Sequence, residues 1–276
     1  MIKLGEWNEL EVVKEKDFGI YLSDQDRSQE VLLPRKEVPA GTKIGDSIKV
    51  FIYKDSSDRI IATVATPYIT MGEMACLKCV GITKIGAFMD WGLPKDILMP
   101  FKEQKGKVEE GREYLVRMYK DRSDRLCVSM KVYTYLSTAS PYHEGDEVSG
   151  IVYEFNPQLG AFVAVDNQYS ALVPMKEIHS RINVGDRLEA RVANIREDGK
   201  LNLTIQKPIK RQMEEDAEMV YKIIESYDGR LPFNDKADKE TIEREFGLSK
   251  NAFKRAVGRL LKQGRIEITD KNILLK

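Results

Sequence analysis

The sequence has few of the residues from which catalytic and metal sites are built. It holds two histidines and three cysteines in 276 residues, and three cysteines argue against a disulfide scaffold. Cys76 and Cys79 have metal-ligand spacing, but no second pair follows, and on one strand their odd separation would place the thiols on opposite faces. His143 and His179 leave little room for acid–base catalysis. The acidic run 214–216 could suggest a nuclease, yet such residues are expected at a helix start.

The sequence also has no phosphate-binding glycine loop. We therefore expect no catalytic residue, no metal site and no cofactor.

Charge of one sign and long apolar runs are lacking too. The 44 basic and 44 acidic residues cancel, so any basic surface that meets a nucleic acid must be local. Residues 1–10 carry no apolar core of signal-peptide length, and no 18-residue apolar run occurs. We expect a cytoplasmic protein of several domains with no membrane partner.

What the sequence does contain is a motif that occurs three times. Each copy has a glycine two residues before an aromatic residue, and a proline 14 or 15 residues after that glycine. A second glycine follows the proline by 11 residues, and a basic residue follows after a further 14 or 15. The copies begin at Gly19, Gly86 and Gly160. This spacing indicates one structural unit used three times.

Each copy is rich in short apolar runs of strand length. They alternate or cluster, as β-strands do, at residues 47–52, 114–118 and 187–192. Segments rich in Asp, Ser or Gly are predicted as hairpin turns at residues 55–58, 121–124 and 197–199. About five short strands in some 65 residues fit a partly open Greek-key barrel of the OB type.

The pattern resembles the S1 RNA-binding domain, whose second strand carries aromatic-Gly-x-aromatic. Phe18-Gly19-Ile20-Tyr21 is the fullest match, whereas the other copies keep only the second aromatic, Phe88 and Phe162. Many S1 domains have a histidine on the binding face where this chain has Pro34, Pro100 and Pro174. That departure favours a docking role over RNA binding for some of the copies.

Aromatic residues on such a face can stack on bases, at ~1–3 kcal/mol per base, while basic residues hold phosphates. The candidate binding residues are Phe18, Tyr21, Arg35 and Lys36 in copy 1, Lys84, Phe88 and Lys102 in copy 2, and Phe162 and Lys176 in copy 3. The alternative is that the rings at the equivalent positions, Tyr21, Phe88 and Phe162, simply fill the barrels. On a flat strand Phe18 and Tyr21 would face opposite sides, so a bulge or kink at Gly19 is predicted if they act together.

From Arg211 the apolar period changes from 2 to about 3.6 residues. A first helical stripe ends at Asp228-Gly229, a second helix is capped near Asp238, and a third runs from Ser249 to about Gln263. Two short strands around a turn are predicted after it. This order is that of a winged helix-turn-helix.

The charge of this C-terminal segment is uneven. Residues 211–246 hold 6 basic and 11 acidic residues, whereas residues 247–276 hold 8 and 2. On the third helix, the predicted buried stripe is Phe253, Val257, Leu260 and Leu261. The opposite side carries Asn251, Arg255, Gly258, Arg259 and Lys262, a candidate nucleic-acid recognition face. It is alternatively a solvated face or a docking surface for a protein.

The chain resembles the bacterial CvfB (YitL-like) family over essentially its whole length. The resemblance is carried by the sequences of residues 231–236 and 248–258, which follow three S1-like barrels. This resemblance implies a cytoplasmic RNA-binding protein that influences gene expression, including virulence factors in some bacteria. No enzymatic activity comes with it.

The sequence thus predicts a multidomain, mainly β protein with three tandem OB-fold (S1-like) five-stranded barrels, followed by an α+β winged helix-turn-helix. The predicted domains are residues 1–66, 67–136, 143–208 and 211–276. The predicted function is non-enzymatic binding of single-stranded RNA, with a role as a post-transcriptional or expression regulator. The alternatives are a protein- or ribosome-docking scaffold with degenerate barrels, a DNA-binding regulator that uses the winged helix, and a nuclease.

Overall fold

The computed structural model describes residues 1–205 and 209–276, which fall into two compact units, Met1–Ile205 and Gln206–Lys276. The described part of the first unit forms three closed five-stranded barrels. The predicted end of the third barrel at Lys207-Pro208 lies outside the described residues.

The three barrels share one strand order. Barrel 1 consists of β1 (Trp7–Lys16), β2 (Gly19–Ser23), β3 (Glu30–Pro34), β4 (Ser47–Lys54) and β5 (Ile60–Thr63). Barrel 2 consists of β6 (Met74–Thr83), β7 (Gly86–Asp90), β8 (Ile97–Pro100), β9 (Glu113–Lys120) and β10 (Leu126–Ser129). Barrel 3 consists of β11 (Glu147–Asn156), β12 (Gly160–Val165), β13 (Tyr169–Pro174), β14 (Arg187–Ile195) and β15 (Leu201–Thr204). In each, the third and fifth strands pair in parallel and the other neighbours are antiparallel.

This arrangement confirms the five-stranded barrels, which are closed rather than partly open.

The first glycine of each motif copy marks a close approach between two strands. A Cβ atom at Gly19, Gly86 or Gly160 would lie 2.2, 2.3 or 2.0 Å from a backbone carbonyl oxygen of the next strand. No real Cβ can stand at that distance from an oxygen, so only glycine fits. The repeated glycine is therefore a requirement of the barrel backbone.

The predicted hairpin turns are confirmed, and aspartate side chains hold two of them. The Asp55 carboxylate accepts hydrogen bonds from the backbone N–H groups of Ser57 and Arg59, at 2.8 and 3.0 Å. The same bonds recur around Asp121 in barrel 2, at 2.7 and 3.0 Å. In barrel 3 the turn instead uses Gly199, whose φ is 79°.

Cys76 and Cys79 lie on β6 and point to opposite faces, as their spacing predicts. Cys79 is buried in the core of barrel 2, whereas Cys76 packs against a cluster that barrels 2 and 3 share. Among the described residues, no group of three or more His, Cys, Asp or Glu side chains is placed to hold a metal ion. Within those same ranges, no helix is long and apolar enough to cross a membrane.

The second unit has the predicted winged-helix order. It contains α1 (Ile209–Ser226), β16 (Arg230–Leu231), α2 (Lys239–Phe246), α3 (Lys250–Lys262), β17 (Ile266–Ile268) and β18 (Ile273–Leu275). The sheet order is β16-β18-β17. Strand β16 was not predicted, because a strand of two residues is too short to show a periodic pattern.

Side-chain caps fix the ends of α2 and α3. The Asp238 carboxylate accepts from the N–H of Thr241 at 2.8 Å, and Gly247 ends α2 with a φ of 63°. The Ser249 hydroxyl accepts from the N–H of Ala252 at 3.2 Å. One core assignment is wrong: Leu261 is exposed, and Ala256 is buried on that helix instead. The buried face of α3 therefore keeps Phe253, Val257 and Leu260 but extends towards Ala252 and Ala256 instead of Leu261.

Candidate nucleic-acid interface

Barrel 1 brings two aromatic rings together on its surface. Phe18 lies in the turn before β2 and is 57% exposed, while Tyr21 is half-buried. Their ring centroids are 6.1 Å apart, with an interplanar angle of 80°. The register irregularity lies between Val12 and Lys14 on β1, not at Gly19 where the bulge or kink was predicted. The two rings meet because Phe18 is a turn residue, outside the alternation of the strand.

Lys14, which the sequence pattern did not indicate as a candidate, lies beside these two rings. Lys14 stands opposite Tyr21 across the β1–β2 pair, and its Nζ lies 4.4 Å from the centroid of the Tyr21 ring. It is also 2.8 Å from the Glu30 carboxylate, and this hydrogen bond raises the pKa of Lys14. Phe18, Tyr21 and Lys14 therefore combine two aromatic rings and a cation, the chemistry of a base-stacking site.

The two basic residues predicted beside this site differ in what they contact. Arg35 binds the turn that carries Phe18, because its guanidinium lies 2.7 Å from the Glu15 carboxylate and donates at 2.7 Å to the Lys16 carbonyl oxygen. Arg35 therefore positions the ring and has its charge already paired. Lys36 is exposed and forms no ion pair within residues 1–205 and 209–276.

The residue opposite each ring differs from copy to copy. A register irregularity recurs at the same place on the first strand of every barrel. It places Lys14 opposite Tyr21, Gly81 opposite Phe88 and Glu154 opposite Phe162. The Glu154 carboxylate pairs with Lys105 of barrel 2 at 2.9 Å. The three faces therefore carry a cation, no side chain and an anion.

In barrel 2, Phe88 lines a cleft of about 150 Å³ that also involves the β4–β5 hairpin of barrel 1. Its apolar wall includes Ile85, Leu98 and Leu126, and its basic residues are Lys54, Lys95 and Arg125. Two of these cations are already paired, Lys95 with Asp58 at 3.1 Å and Arg125 with Asp121 at 2.9 Å. The predicted residues Lys84 and Lys102 are exposed outside this lining.

In barrel 3, other rings cover the predicted aromatic residue. Phe162 is half-buried and packs edge-on against Tyr133 of the preceding linker, with centroids 6.1 Å apart. Tyr153, which is buried in the cluster that barrels 2 and 3 share, contacts Phe162 with centroids 6.2 Å apart. Lys176 is exposed on the 3₁₀ turn after β13. The structure thus gives Phe162 packing contacts that Tyr21 does not have.

The predicted face of α3 is only partly on the outside. Asn251, Arg255 and Lys262 are exposed, but Arg259 is half-buried and lies 2.6 Å from the Glu214 carboxylate of α1. The outward placement of Arg259 is therefore wrong. Arg259 lies about two helical turns after Ala252, which is buried, so it stands at the edge of the observed buried face, where Glu214 of α1 pairs with its guanidinium.

Comparison with known proteins finds S1 domains and a winged helix domain in this chain. The S1 domain family matches residues 4–65 and 71–131, the S1 RNA binding domain family matches residues 142–206, and the CvfB-like winged helix domain family matches residues 218–275. The chain is 29% identical over 280 residues to YitL of Bacillus subtilis, covering 95% of this chain and 90% of that protein.

Two further relatives agree with this. Conserved virulence factor B of Staphylococcus saprophyticus is 28% identical over 258 residues, covering 90% of this chain and 86% of that protein. A multidomain protein with nucleic acid binding domains from Streptococcus pneumoniae TIGR4 superposes with a TM-score of 0.57 at 25% identity, covering 99% of this chain and 98% of that one. The chain is accordingly a homologue of YitL and of the conserved virulence factor B proteins, built from S1 domains and a CvfB-like winged helix domain.

Proposed function

We propose that this protein binds single-stranded RNA without enzymatic activity and regulates gene expression after transcription. The observation that carries the proposal is the surface of barrel 1, where Phe18 and Tyr21 meet at 6.1 Å and Lys14 lies 4.4 Å from the Tyr21 centroid. An exposed ring stacks on any base, and a cation beside it contacts the phosphate. The proposal places the protein in the cytoplasm, since that is where bacterial transcripts are found.

The comparisons support the proposal at the level of the domain. Residues 142–206 match a family described as an S1 RNA binding domain, and residues 218–275 match a CvfB-like winged helix domain. The model whose description names RNA binding matches residues 142–206, which form barrel 3, whereas residues 4–65 and 71–131 match the S1 domain model. The side chains beside the rings instead favour barrel 1. Barrel 1 carries Lys14 where barrel 3 carries Glu154, so we assign the main RNA contact to barrel 1.

The test is a fluorescence titration of a short single-stranded RNA at low and moderate salt. The Phe18→Ala/Tyr21→Ala variant is expected to bind at least ~10-fold more weakly, because each stacked base contributes ~1–3 kcal/mol. Tyr68→Ala is the matched control, since Tyr68 is an exposed ring in the linker between barrels 1 and 2. No saturable binding of the wild type at low salt would refute the function. Equal binding by the double variant would reject the barrel 1 site.

A docking role on protein or the ribosome is favoured for barrel 3 by one observation. Its face has an acidic residue, Glu154, opposite a ring that Tyr133 already covers. The expected signature is a partner that remains bound in a pull-down after nuclease treatment and is lost when barrel 3 is deleted together with its linker.

Contact with duplex DNA is the function that the exposed α3 residues would support. Asn251 and Arg255 can read base edges, and both are exposed. Preference for a specific duplex over single-stranded RNA, lost in Arg255→Ala, would identify it.

A further inference from the structure

The linker between barrels 2 and 3 contains a short 3₁₀ turn, Tyr133–Tyr135, that is anchored on both sides. Val132 and Leu136 flank the turn and are buried in the cluster that the two barrels share. Ser137 then exchanges two backbone hydrogen bonds with barrel 3, of 2.8 and 2.9 Å. The turn is therefore fixed in place, although it belongs to a connecting segment.

This fixed turn presents two aromatic rings to solvent. Tyr133 is 44% exposed and Tyr135 is 52% exposed, although Val132 and Leu136, which flank the turn, are buried. Rings held on an anchored turn lose little conformational entropy when a ligand stacks on them. The arrangement is therefore suited to binding rather than to packing alone.

Each ring has a cation from a different barrel beside it. The guanidinium carbon of Arg117, on β9, lies 3.9 Å from the centroid of Tyr135. The Nζ of Lys200, just before β15, lies 5.4 Å from the centroid of Tyr133 and is held by Asp198 at 2.8 Å. A ring paired with a cation therefore occurs on each side of the linker between barrels 2 and 3. The same combination occurs at Tyr21 and Lys14 in barrel 1.

A cleft of about 280 Å³ adjoins the Tyr135 ring. It is lined by Glu103, Arg117, Tyr119, Ser129, Lys131 and Tyr135. The Tyr119 hydroxyl is buried and has no hydrogen-bond partner in the described part of the chain. Such a hydroxyl is unfavourable unless a ligand oxygen accepts its hydrogen bond. The two cations exceed the single carboxylate, which is bound by Ser129 and Lys131 at 2.7 and 3.4 Å. The excess of positive charge in the cleft and the Tyr119 hydroxyl donor suit a phosphate or sugar oxygen.

We propose that Tyr133 and Tyr135 form a second binding platform for single-stranded RNA, here called the linker platform. The two rings stack on bases, and Arg117 and Lys131 contact the backbone of the strand at the adjoining cleft. The inference rests on the proposed RNA-binding function but uses residues outside barrel 1. It also gives barrel 3 an exposed ring, because Tyr133 stands in front of the covered Phe162.

The test compares RNA affinities of matched variants of the full chain. Tyr133→Leu and Tyr135→Leu are each expected to weaken binding of a short fluorescent single-stranded RNA about fivefold or more. Tyr133→Phe and Tyr135→Phe keep the ring and are expected to bind like the wild type. Tyr68→Leu removes a ring that is 63% exposed in the other linker and serves as the control; it is expected to change nothing.

Three outcomes would overturn the linker platform. Unchanged affinity of the Tyr133→Leu/Tyr135→Leu variant, with a wild type that binds, rejects the platform and leaves the proposed function standing. Absence of binding by the wild type rejects both. Since Leu at position 133 also removes packing from Phe162, a second measurement uses the unmodified protein. Photocrosslinking to thiouridine-containing RNA is expected to label the peptide with residues 133–135, and crosslinks confined to barrel 1 would contradict the proposal.

Discussion

Replacing Lys14 by methionine tests whether the cation over Tyr21 contacts RNA phosphate. The substitution keeps the length of the side chain and its cover over the ring but removes the charge. Both Lys14 and its partner Glu30 are well exposed, with side-chain accessibilities of 42% and 46%. The folded state should therefore lose little stability, because pairs in water contribute little.

The expected effect is on the salt dependence of binding. Each phosphate neutralised on a single strand contributes about −0.7 to the slope of log K against log salt. Lys14→Met should flatten that slope by about 0.7, so that between about 50 and 200 mM salt the wild type loses about 2.5-fold more affinity than the variant. Glu30→Gln should act in the opposite direction, because it releases the Lys14 ammonium from its 2.8 Å ion pair and removes a carboxylate beside the RNA.

The assay is a series of fluorescence anisotropy titrations at several salt concentrations, with urea denaturation as the check on folding. The double variant Lys14→Met/Glu30→Gln separates the loss of the cation from the exposure of an unpaired carboxylate. A slope identical to that of the wild type in both Lys14→Met and the double variant would show that Lys14 contacts no phosphate. The assignment of the main RNA contact to barrel 1 would then have lost its electrostatic basis.

Four further predictions concern two glycines, a buried thiol and an ion pair of the winged helix. Gly160→Ala should lower the free energy of unfolding by about 1–3 kcal/mol, because its Cβ would lie 2.0 Å from a carbonyl oxygen. Gly258→Ala, with open space around it, should raise that free energy by about 0.5–1 kcal/mol; urea denaturation measures both. Burial raises the pKa of the Cys127 thiol to about 11, so in the native protein it should resist alkylation at about pH 8 and react once unfolded, as followed by mass spectrometry. Arg259→Ala should lower the thermal midpoint of the second unit, whereas Arg255→Ala should not, and equal midpoints would show that the Arg259 ion pair is unimportant.

The barrel architecture could be predicted because its main constraint acts on single residues. Gly19, Gly86 and Gly160 each stand where a side chain would strike the neighbouring strand. Such a requirement leaves the same residue at the same spacing in every copy, and spacing is visible in a sequence. The caps at Asp238 and Ser249 were predictable for the same reason, since each binds a backbone group three residues away.

The residues of the candidate site were harder to predict from the sequence, because the site depends on contacts between residues that are distant in the chain. Lys14 faces Tyr21 across a strand pair with an irregular register, and a shift of one residue reverses the face of every side chain. Arg259 meets Glu214, which is 45 residues earlier in the chain. A helical wheel gives the angle of Arg259 but not the helix that packs beside it, so the sequence placed it on the outer face.

The three barrels share a strand order but differ in the side chains on their ring faces, because the ring positions lie outside their cores. Tyr21, Phe88 and Phe162 are all half-buried, between neighbours on the same strand that are fully buried. A change from Lys14 to the equivalent Gly81 or Glu154 therefore alters the charge beside the ring without disturbing the interior. Folding constrains the glycines and the core, and the face is free to differ. A match to S1 domain models therefore does not by itself assign RNA to every copy. Under the proposed function, the residue opposite each ring, Lys14, Gly81 or Glu154, is expected to separate the barrels in RNA affinity.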